Sequence, residues 1–222
     1  MGWSACWPAC VDEPPARPPQ RQAVLKRAFD ILGAGVALLL LAPLLLATAL
    51  LIKLDSPGPV FFRQQRVGRA GRLFRIHKFR TMVADAPQRG PALTVGADPR
   101  ITRSGQWLRR TRLDELPQLI DVLLGHMSLV GPRPEVPKYV EHYPPALRDR
   151  ALAVRPGITD PSSLAFLDEA ELLAAAADPE REYIEHILPR KLQAAADYAA
   201  SASLWTDLQV IARTLRLLVA RG

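Results

Sequence analysis

Two adjacent carboxylates, Asp114 and Glu115, close the arginine-rich stretch Leu108-Arg109-Arg110-Thr111-Arg112-Leu113-Asp114-Glu115-Leu116-Pro117-Gln118-Leu119. Such a pair can hold a divalent cation, and Mg2+ is commonly bound by one or two carboxylates together with substrate phosphates. An aspartate can also attack phosphorus to give an acyl phosphate, which splits one transfer into two steps. Cations nearby would offset charge in the transition state. Taken alone, an Asp-Glu pair is more often a solvated pair on a helix surface. The surroundings change that weighting, because Arg109, Arg110, Arg112 and Arg133 are available to hold an anion. Arg133 lies between Pro132 and Pro134. The prolines stiffen its backbone and present a planar fork suited to phosphate oxygens. A solvated turn arginine is the competing reading there, as it is for Arg155-Pro156-Gly157-Ile158-Thr159-Asp160-Pro161.

The elements that must position these residues can be read in outline. With Asp114 as N-cap, Pro117 falls in the first turn of a helix, where its missing N–H costs no bond. A cap at Thr111 would set Pro117 too deep. Leu116, Leu119, Ile120, Leu123 and Leu124 then share one face, and Gly125 supplies the stop. The carboxylates are expected at the open N-terminal end, where the helix dipole favours a phosphate. Upstream, Val60–Val67 and Leu73–Arg80 read as strands joined by a turn at Gly68–Gly71. Their alternation puts Leu73, Arg75, His77 and Phe79 on one side and Phe74, Ile76 and Lys78 on the other. Residues 84–100 are loop-rich, and a helix runs through Gln106 to Arg110. Asp168–Ala177, Glu180–Ile187 and Lys191–Ala200 read as further helices.

From Ile31 to Ile52, about 22 residues, no side chain is charged, which is long enough to span a bilayer of roughly 20 residues. Both flanks are basic: Arg21, Lys26 and Arg27 before it, and Lys53, Arg63, Arg66, Arg69, Arg72 and Arg75 after it. Positive charge prefers the cytoplasmic side. A segment that enters, bends at Ala42-Pro43 and returns satisfies both flanks, so a re-entrant helix is favoured over a span. Backbone groups freed at such a break need partners at depth. The last segment sets Leu204, Trp205, Leu208, Ile211, Leu215 and Leu218 on one stripe, with Arg213, Arg216 and Arg221 towards its end. That pattern fits an interfacial helix, with Trp205 favouring it, or a helix packed on the core. The formal net charge of +7 suits anionic partners. Aromatic content of 6% offers no stacking surface, which argues against nucleic acid. Residues 1–20 read as a Pro-rich disordered tail that holds both cysteines, Cys6 and Cys10. The four histidines, His77, His126, His142 and His186, show no metal-ligand spacing.

Taken together, the ordered motifs resemble bacterial sugar transferases of the monotopic phosphoglycosyl transferase family. They are Lys26-Arg27-Ala28-Phe29-Asp30, Asp55-Ser56-Pro57-Gly58-Pro59-Val60-Phe61-Phe62, Lys78-Phe79-Arg80-Thr81-Met82, Leu113–Leu119, Met127–Glu135 and Arg155–Thr159. The resemblance implies transfer of a phospho-sugar from a UDP-sugar to polyprenyl (undecaprenyl) phosphate, with release of UMP and a covalent aspartyl intermediate, as the first membrane step of surface glycan assembly. It implies Asp114 as nucleophile, Glu115 on Mg2+ beside it, and Arg109 and Arg133 as phosphate binders, with Lys78 and Arg80 as further basic positions near the site. It also implies a membrane helix broken near Pro43. Three departures stand out: Ala42 precedes Pro43 where relatives often carry serine; Asp160-Pro161-Ser162-Ser163 follows Thr159 in place of a Gly and Ala-Gln segment; and Ala195 falls near an expected aspartate. The region from 160 to 200 is where sugar or carrier selection is suspected. The expected architecture is α/β and mainly helical. A re-entrant membrane helix over 21–54 precedes a compact catalytic domain over 55–222, with a small β-hairpin and interfacial amphipathic helices. That domain is expected on the cytoplasmic face of the bacterial inner membrane. It should not be a doubly wound nucleotide fold, since no strand-plus-glycine fingerprint appears. A non-catalytic membrane-docked scaffold and a Mg2+-dependent lipid phosphohydrolase are the rival readings.

Overall fold

The computed structural model describes residues 20–90, 96, 98–160 and 169–221. The proline-rich tail with Cys6 and Cys10, Pro91 and the Pro161-Ser162-Ser163 segment lie outside these residues, as do Asp168 and the side chains of Leu218 and Arg221. The chain is mostly helical, with three two-stranded sheets.

Helix α1 runs from Gln20 to Asp55, 36 residues, or about 54 Å at 1.5 Å per residue. The helical assignment passes through Pro43 without interruption. Instead of a gap between two helices, a proline therefore sits inside one, with a φ that suits the helix but no N–H for the carbonyl of Leu39. Polar contacts fasten both ends of α1 to the same folded body. Near the start, Lys26 pairs with Asp207, Arg27 donates to the carbonyl of Val122 (2.7 Å), and buried Asp30 accepts from Ser128 Oγ and Leu129 N, both at 3.0 Å. At the end, Asp55 accepts from Ser104 Oγ (2.8 Å), and Arg80 donates to the carbonyls of Pro57 and Ser56, the latter at 2.8 Å. Between these anchors, Ala34, Leu38 and Leu41 join a core with Phe74, Ile76, Leu119, Val122 and Met127. Leu45, Ala49 and Ile52 pack on Phe79 and Leu108. The opposite face is bare: Leu32, Leu39, Leu40 and Leu46 are each about 70% exposed or more.

The expected hairpin is present as two short ladders in one register. Strand β1 (Phe61–Phe62) pairs antiparallel with β4 (Lys78–Phe79), and β2 (Gln65–Val67) with β3 (Leu73–Arg75). A hydrogen bond from Ile76 N to Gln64 O, 3.0 Å, bridges the interruption. Phe74 and Ile76 turn into the core while Leu73 is exposed, as the alternation predicts, but Phe79, expected on the side of Leu73, is 2% exposed and packs with Ile52 and Leu108. After the short helix α2 (Ala86–Arg89), α3 covers Arg103–Thr111 and is capped by Thr102, whose side chain accepts from Gly105 N. A Cβ on Gly105 would lie 2.0 Å from the carbonyl oxygen of Thr81, so only glycine lets α3 approach that backbone.

The carboxylate stretch departs from the sequence reading. Arg112 takes a left-handed conformation (φ 60°), Leu113–Glu115 form one 3-10 turn, and helix α4 starts only at Gln118 and ends at Leu123. Pro117 occupies the N-cap, and the amide of Leu116 bonds Leu113 O across the turn. A proline can begin a helix but cannot feed its first bonds, so the carboxylates precede the helix. They are buried, not held at an open end. The expected stripe is also shifted: Leu119 and Val122 are buried, while Leu123 and Leu124 are exposed and Gly125 (φ 84°) makes the stop.

A parallel pair that the sequence did not suggest, β5 (Ser128–Val130) and β6 (Gly157–Thr159), lies beyond α4. Helices α5 (Pro137–Val140) and α6 (Pro145–Ala151) intervene. Then come α7 (Glu169–Ala175), α8 (Pro179–Glu182), a π turn (Tyr183–Ile187), α9 (Leu188–Ser201) and α10 (Leu204–Arg221). On α10, Asp207 and Val210 are buried against the body, whereas Trp205, Leu208 and Leu215 face outward.

Asp30 sits at 1% exposure with partners on β5. Asp30→Ala should lower unfolding stability by about 1–3 kcal/mol, because it strands a buried backbone N–H and a hydroxyl. Asp30→Asn should cost less. Thermal unfolding of the purified protein checks both.

Candidate active site

The 3-10 turn brings both carboxylates under two cations. Lys78 Nζ lies 2.8 Å from Asp114 Oδ2 and 3.3 Å from Glu115 Oε1. Arg133 grips Glu115 with both terminal nitrogens, at 2.5 and 3.3 Å. The side chains of Asp114 and Glu115 are 3% and 10% exposed, against 22% for Lys78 and 35% for Arg133. An anion arriving from solvent therefore meets the cations first. The other carboxylate oxygen of Asp114, Oδ1, is buried and has no hydrogen-bond partner. A buried acceptor without a donor is costly unless a ligand or reaction uses it.

Each cation is itself held. Lys78 is carried by β4, opposite Phe62 in the antiparallel pair. Its neighbour His77 is fixed by Asp121 on α4, which accepts from His77 N (2.7 Å) and faces Nδ1 (2.8 Å). The other ring nitrogen meets Arg63 at 2.6 Å. Arg133 is set by the turn around it. Arg66 donates to Pro134 O (3.0 Å), Val67 N to Glu135 O (2.9 Å) and Gly157 N to Pro132 O (2.9 Å), while the hydroxyl of Tyr183 donates to Glu135 (2.5 Å). Here Gly131 and Gly157 press backbone to backbone: a Cβ on Gly131 would come 2.4 Å from Arg155 O. Arg109 donates to Thr81 Oγ1 (2.9 Å) and is within electrostatic reach of both carboxylates. Burial lowers its pKa, and Asp114 offsets part of that effect.

Arg80 is used elsewhere. Its guanidinium is spent on the carbonyls of Pro57, Ser56 and Ile52, at the end of α1. It clamps the helix end and makes no contact with the pair, which corrects its expected place among the anion binders. Lys78, Arg133, Asp114 and Glu115 are in direct contact, with Arg109 beside them. Pro43 lies in α1, outside this cluster.

Burial alone would push the Glu115 pKa upward. The attraction of Arg133, then of Lys78, outweighs it and holds the carboxyl well below the usual carboxylate range. Arg133 is raised in turn, first by Glu115. Two carboxylates meet two cations in direct contact, and Arg109 and Arg112 add positive charge from further out. Among the described residues no group of three or more His, Cys, Asp or Glu could cage a metal alone. The donor set nonetheless fits Mg2+, which takes one or two carboxylates and completes its shell with substrate phosphate and water. The orphaned Asp114 Oδ1 is the oxygen on offer, and the oxygens of Glu115 beside it are engaged by Arg133.

Sequence reasoning missed Asp121, Thr81 and Arg66 as supports. Asp121 did leave a signal, since it interrupts the apolar run of α4 and is fully buried. Thr81 and Arg66 show their roles only through long-range contacts.

A sequence model of bacterial sugar transferases matches residues 21–221. A UDP-N-acetylgalactosamine-undecaprenyl-phosphate N-acetylgalactosaminephosphotransferase of Aeromonas hydrophila is 42% identical over 204 residues, 89% of this chain and 44% of that protein. The exopolysaccharide production protein PSS of Rhizobium leguminosarum bv. phaseoli is 62% identical over 111 residues, 50% of this chain and 56% of that protein. A UDP-glucose:undecaprenyl-phosphate glucose-1-phosphate transferase of Caulobacter vibrioides is 39% identical over 205 residues, 90% of this chain and 73% of that protein. The chain thus spans about half the length of the first two relatives.

Glu115→Gln should destabilise the fold at pH 7 by about 1–3 kcal/mol, less than for a fully buried pair because Arg133 is a third exposed. A depressed folded-state pKa contributes stability above the ordinary value of 4.5 and loses it as pH falls below that value. The gap between wild type and Glu115→Gln should therefore be full at neutral pH and shrink below about pH 4.5. Denaturant titrations at pH 7 and pH 3.5 check the sign.

Proposed function

The chain belongs to the bacterial sugar transferase family, and from that premise we propose that it transfers a phospho-sugar from a UDP-sugar to polyprenyl phosphate, releasing UMP. The observation that carries this reading is the oxygen Asp114 Oδ1, buried and unpaired, on a carboxylate whose other oxygen meets Lys78. A UDP-sugar diphosphate draws Lys78 and Arg133 off the carboxylates and brings its sugar-bearing phosphorus to Asp114. The aspartate oxygen attacks that phosphorus, the phosphoanhydride bond to UMP breaks, and UMP departs with the electron pair. The sugar phosphate is left on Asp114 as a mixed anhydride. An oxygen of polyprenyl phosphate then attacks the same phosphorus, and the aspartate leaves as carboxylate. Arg109 and Arg133 hold phosphate oxygens through both steps, and Lys78 returns to the freed carboxylate. Bound Mg2+, held by Glu115 and Asp114, would neutralise phosphate charge as the donor binds.

The acceptor is a lipid, and the docking of α1 supports a seat on one leaflet. Both ends of this apolar helix are fixed to one body through Asp30 and Asp55, so its two basic flanks share a side. We place residues 21–54 in the bilayer as a re-entrant unit with its bend at Pro43, and residues 55–222 on the cytoplasmic face of the bacterial membrane. The outward Trp205, Leu208 and Leu215 of α10 support an interfacial position for that helix. Names of relatives in exopolysaccharide production support a place early in surface glycan assembly.

Asp114→Asn should reduce UMP release by on the order of a thousandfold or more, while the protein stays in the membrane fraction. Wild-type-like UMP release by this variant would remove the nucleophile. Inorganic phosphate release without UMP would point to a lipid phosphohydrolase, and neither product to a scaffold. Single cysteines at Val24 and Leu54 should both react with an impermeant thiol reagent in inside-out vesicles and neither in spheroplasts. Labelling of the two positions from opposite sides would establish a span.

A further inference from the structure

Beside Arg133 the chain forms a cleft of about 40 Å³ between the Pro132–Glu135 turn, α6, α9 and the residues flanking β6. Its walls are mostly apolar, including Val67, Leu152, Val154 and Ala195. Five of its lining residues carry polar side chains, Arg133, Glu135, Tyr143, Asp160 and Lys191; Asp160 is 6% exposed, and the ammonium of Lys191 is held 2.6 Å from Glu169. None of its described lining residues belongs to α1 or α10, the elements with bare apolar faces, so it does not open among the groups that would meet lipid. The cleft accommodates about three water molecules. A compact substituent fits that space.

We propose that this cleft receives an acylamino group, such as acetamido, on the donor sugar, which makes the chain selective for 2-acylamino sugars. The inference rests on the phospho-sugar transfer proposed above. Arg133 links the two places, since its guanidinium grips Glu115 while the same residue lines the cleft. The sugar carbon bearing phosphate is C1, and the substituent on C2 is its nearest neighbour. With the phosphorus at Asp114 and its oxygens on Arg133, the C2 substituent is the part of the sugar that comes next along Arg133. The apolar walls suit an acyl methyl, and the charged edge suits an amide. A C2 hydroxyl would leave the walls unfilled and lose its water without replacing the lost contacts.

The test uses the full chain in vesicles containing undecaprenyl phosphate, with UMP release measured from UDP-N-acetylglucosamine, UDP-N-acetylgalactosamine, UDP-glucose and UDP-galactose. Wild-type kcat/KM should favour the acetamido donors by about tenfold or more. Ala195→Leu and Val154→Phe fill the cleft from different elements and should each collapse that ratio towards unity, with melting temperatures recorded alongside. Equal wild-type rates on the four donors, a preference for the hydroxyl donors, or an unchanged ratio in either folded variant would overturn the proposal. UMP release from none of the donors would overturn the transferase reading itself, and this inference with it. Because the wild-type ratio decides by itself, a variant that fails to fold leaves the proposal exposed.

Discussion

Two carboxylates taken out of water, with two cations laid over them, form the constraint around which this molecule is built. Buried charge is costly, and only close opposite charge with good geometry offsets it. Asp114 and Glu115 meet that condition because the chain delivers Lys78 from a hairpin and Arg133 from a proline-braced turn to one place. Each delivery has its own supports. Asp121 fixes the residue before Lys78, and Arg66, Val67 and Gly157 fix the backbone around Arg133. Nε of Arg66 is left without an acceptor, and one oxygen of Asp114 is left bare. Stability alone would have given it a donor, which is why it reads as the reacting atom in the proposed chemistry.

The second constraint is geometric. Helix α1 offers a broad apolar face that the body does not cover, yet Asp30 and Asp55 tie its two ends to β5 and α3. In the proposed re-entrant seat, both attachments keep the two ends of α1 on one side of the membrane. The same helix supplies part of the core beneath the hairpin and α4. Whatever holds α1 at a membrane surface therefore also fixes the distance from that surface to the carboxylate pair. In the proposed reaction this coupling matters, because the acceptor phosphate is tethered to lipid while the donor comes from solution.

Much of this was readable in the chain, and the failures have physical causes. The apolar run, the hairpin that carries Lys78, the carboxylate pair and the Pro-Arg-Pro turn are local patterns, fixed by period and by proline chemistry. The position of the pair was misread because Pro117 was granted a first-turn place in a helix that begins after it. One 3-10 turn then changed an exposed helix end into a buried site. Alternation would set Arg80 on the same side as Lys78, two residues earlier, but β4 stops at Phe79 and the guanidinium of Arg80 closes the end of α1. The parallel pairing of β5 with β6 joins segments far apart in the chain and left no local signal beyond Gly131 and Gly157.

In the proposed reaction the ion pairs also bear on selectivity against water. With Lys78 seated on Asp114 and Arg133 on Glu115, both carboxylates have cationic partners in the resting protein. A diphosphate alters this, since it competes for the same donors with more charge than either carboxylate. Transferring Lys78 and Arg133 to the donor uncovers Asp114 only when phosphorus is already in place. Water alone offers the cations no comparable partner and leaves the cover shut. The reverse exchange follows once UMP has gone, for the aspartate then carries the phosphoryl group and Lys78 has lost its carboxylate partner. Its charge is left to meet the next anion, the lipid phosphate. On this argument the ion pairs that stabilise the resting protein also order the two transfers, and the same residues serve both because their partners differ only in charge and reach.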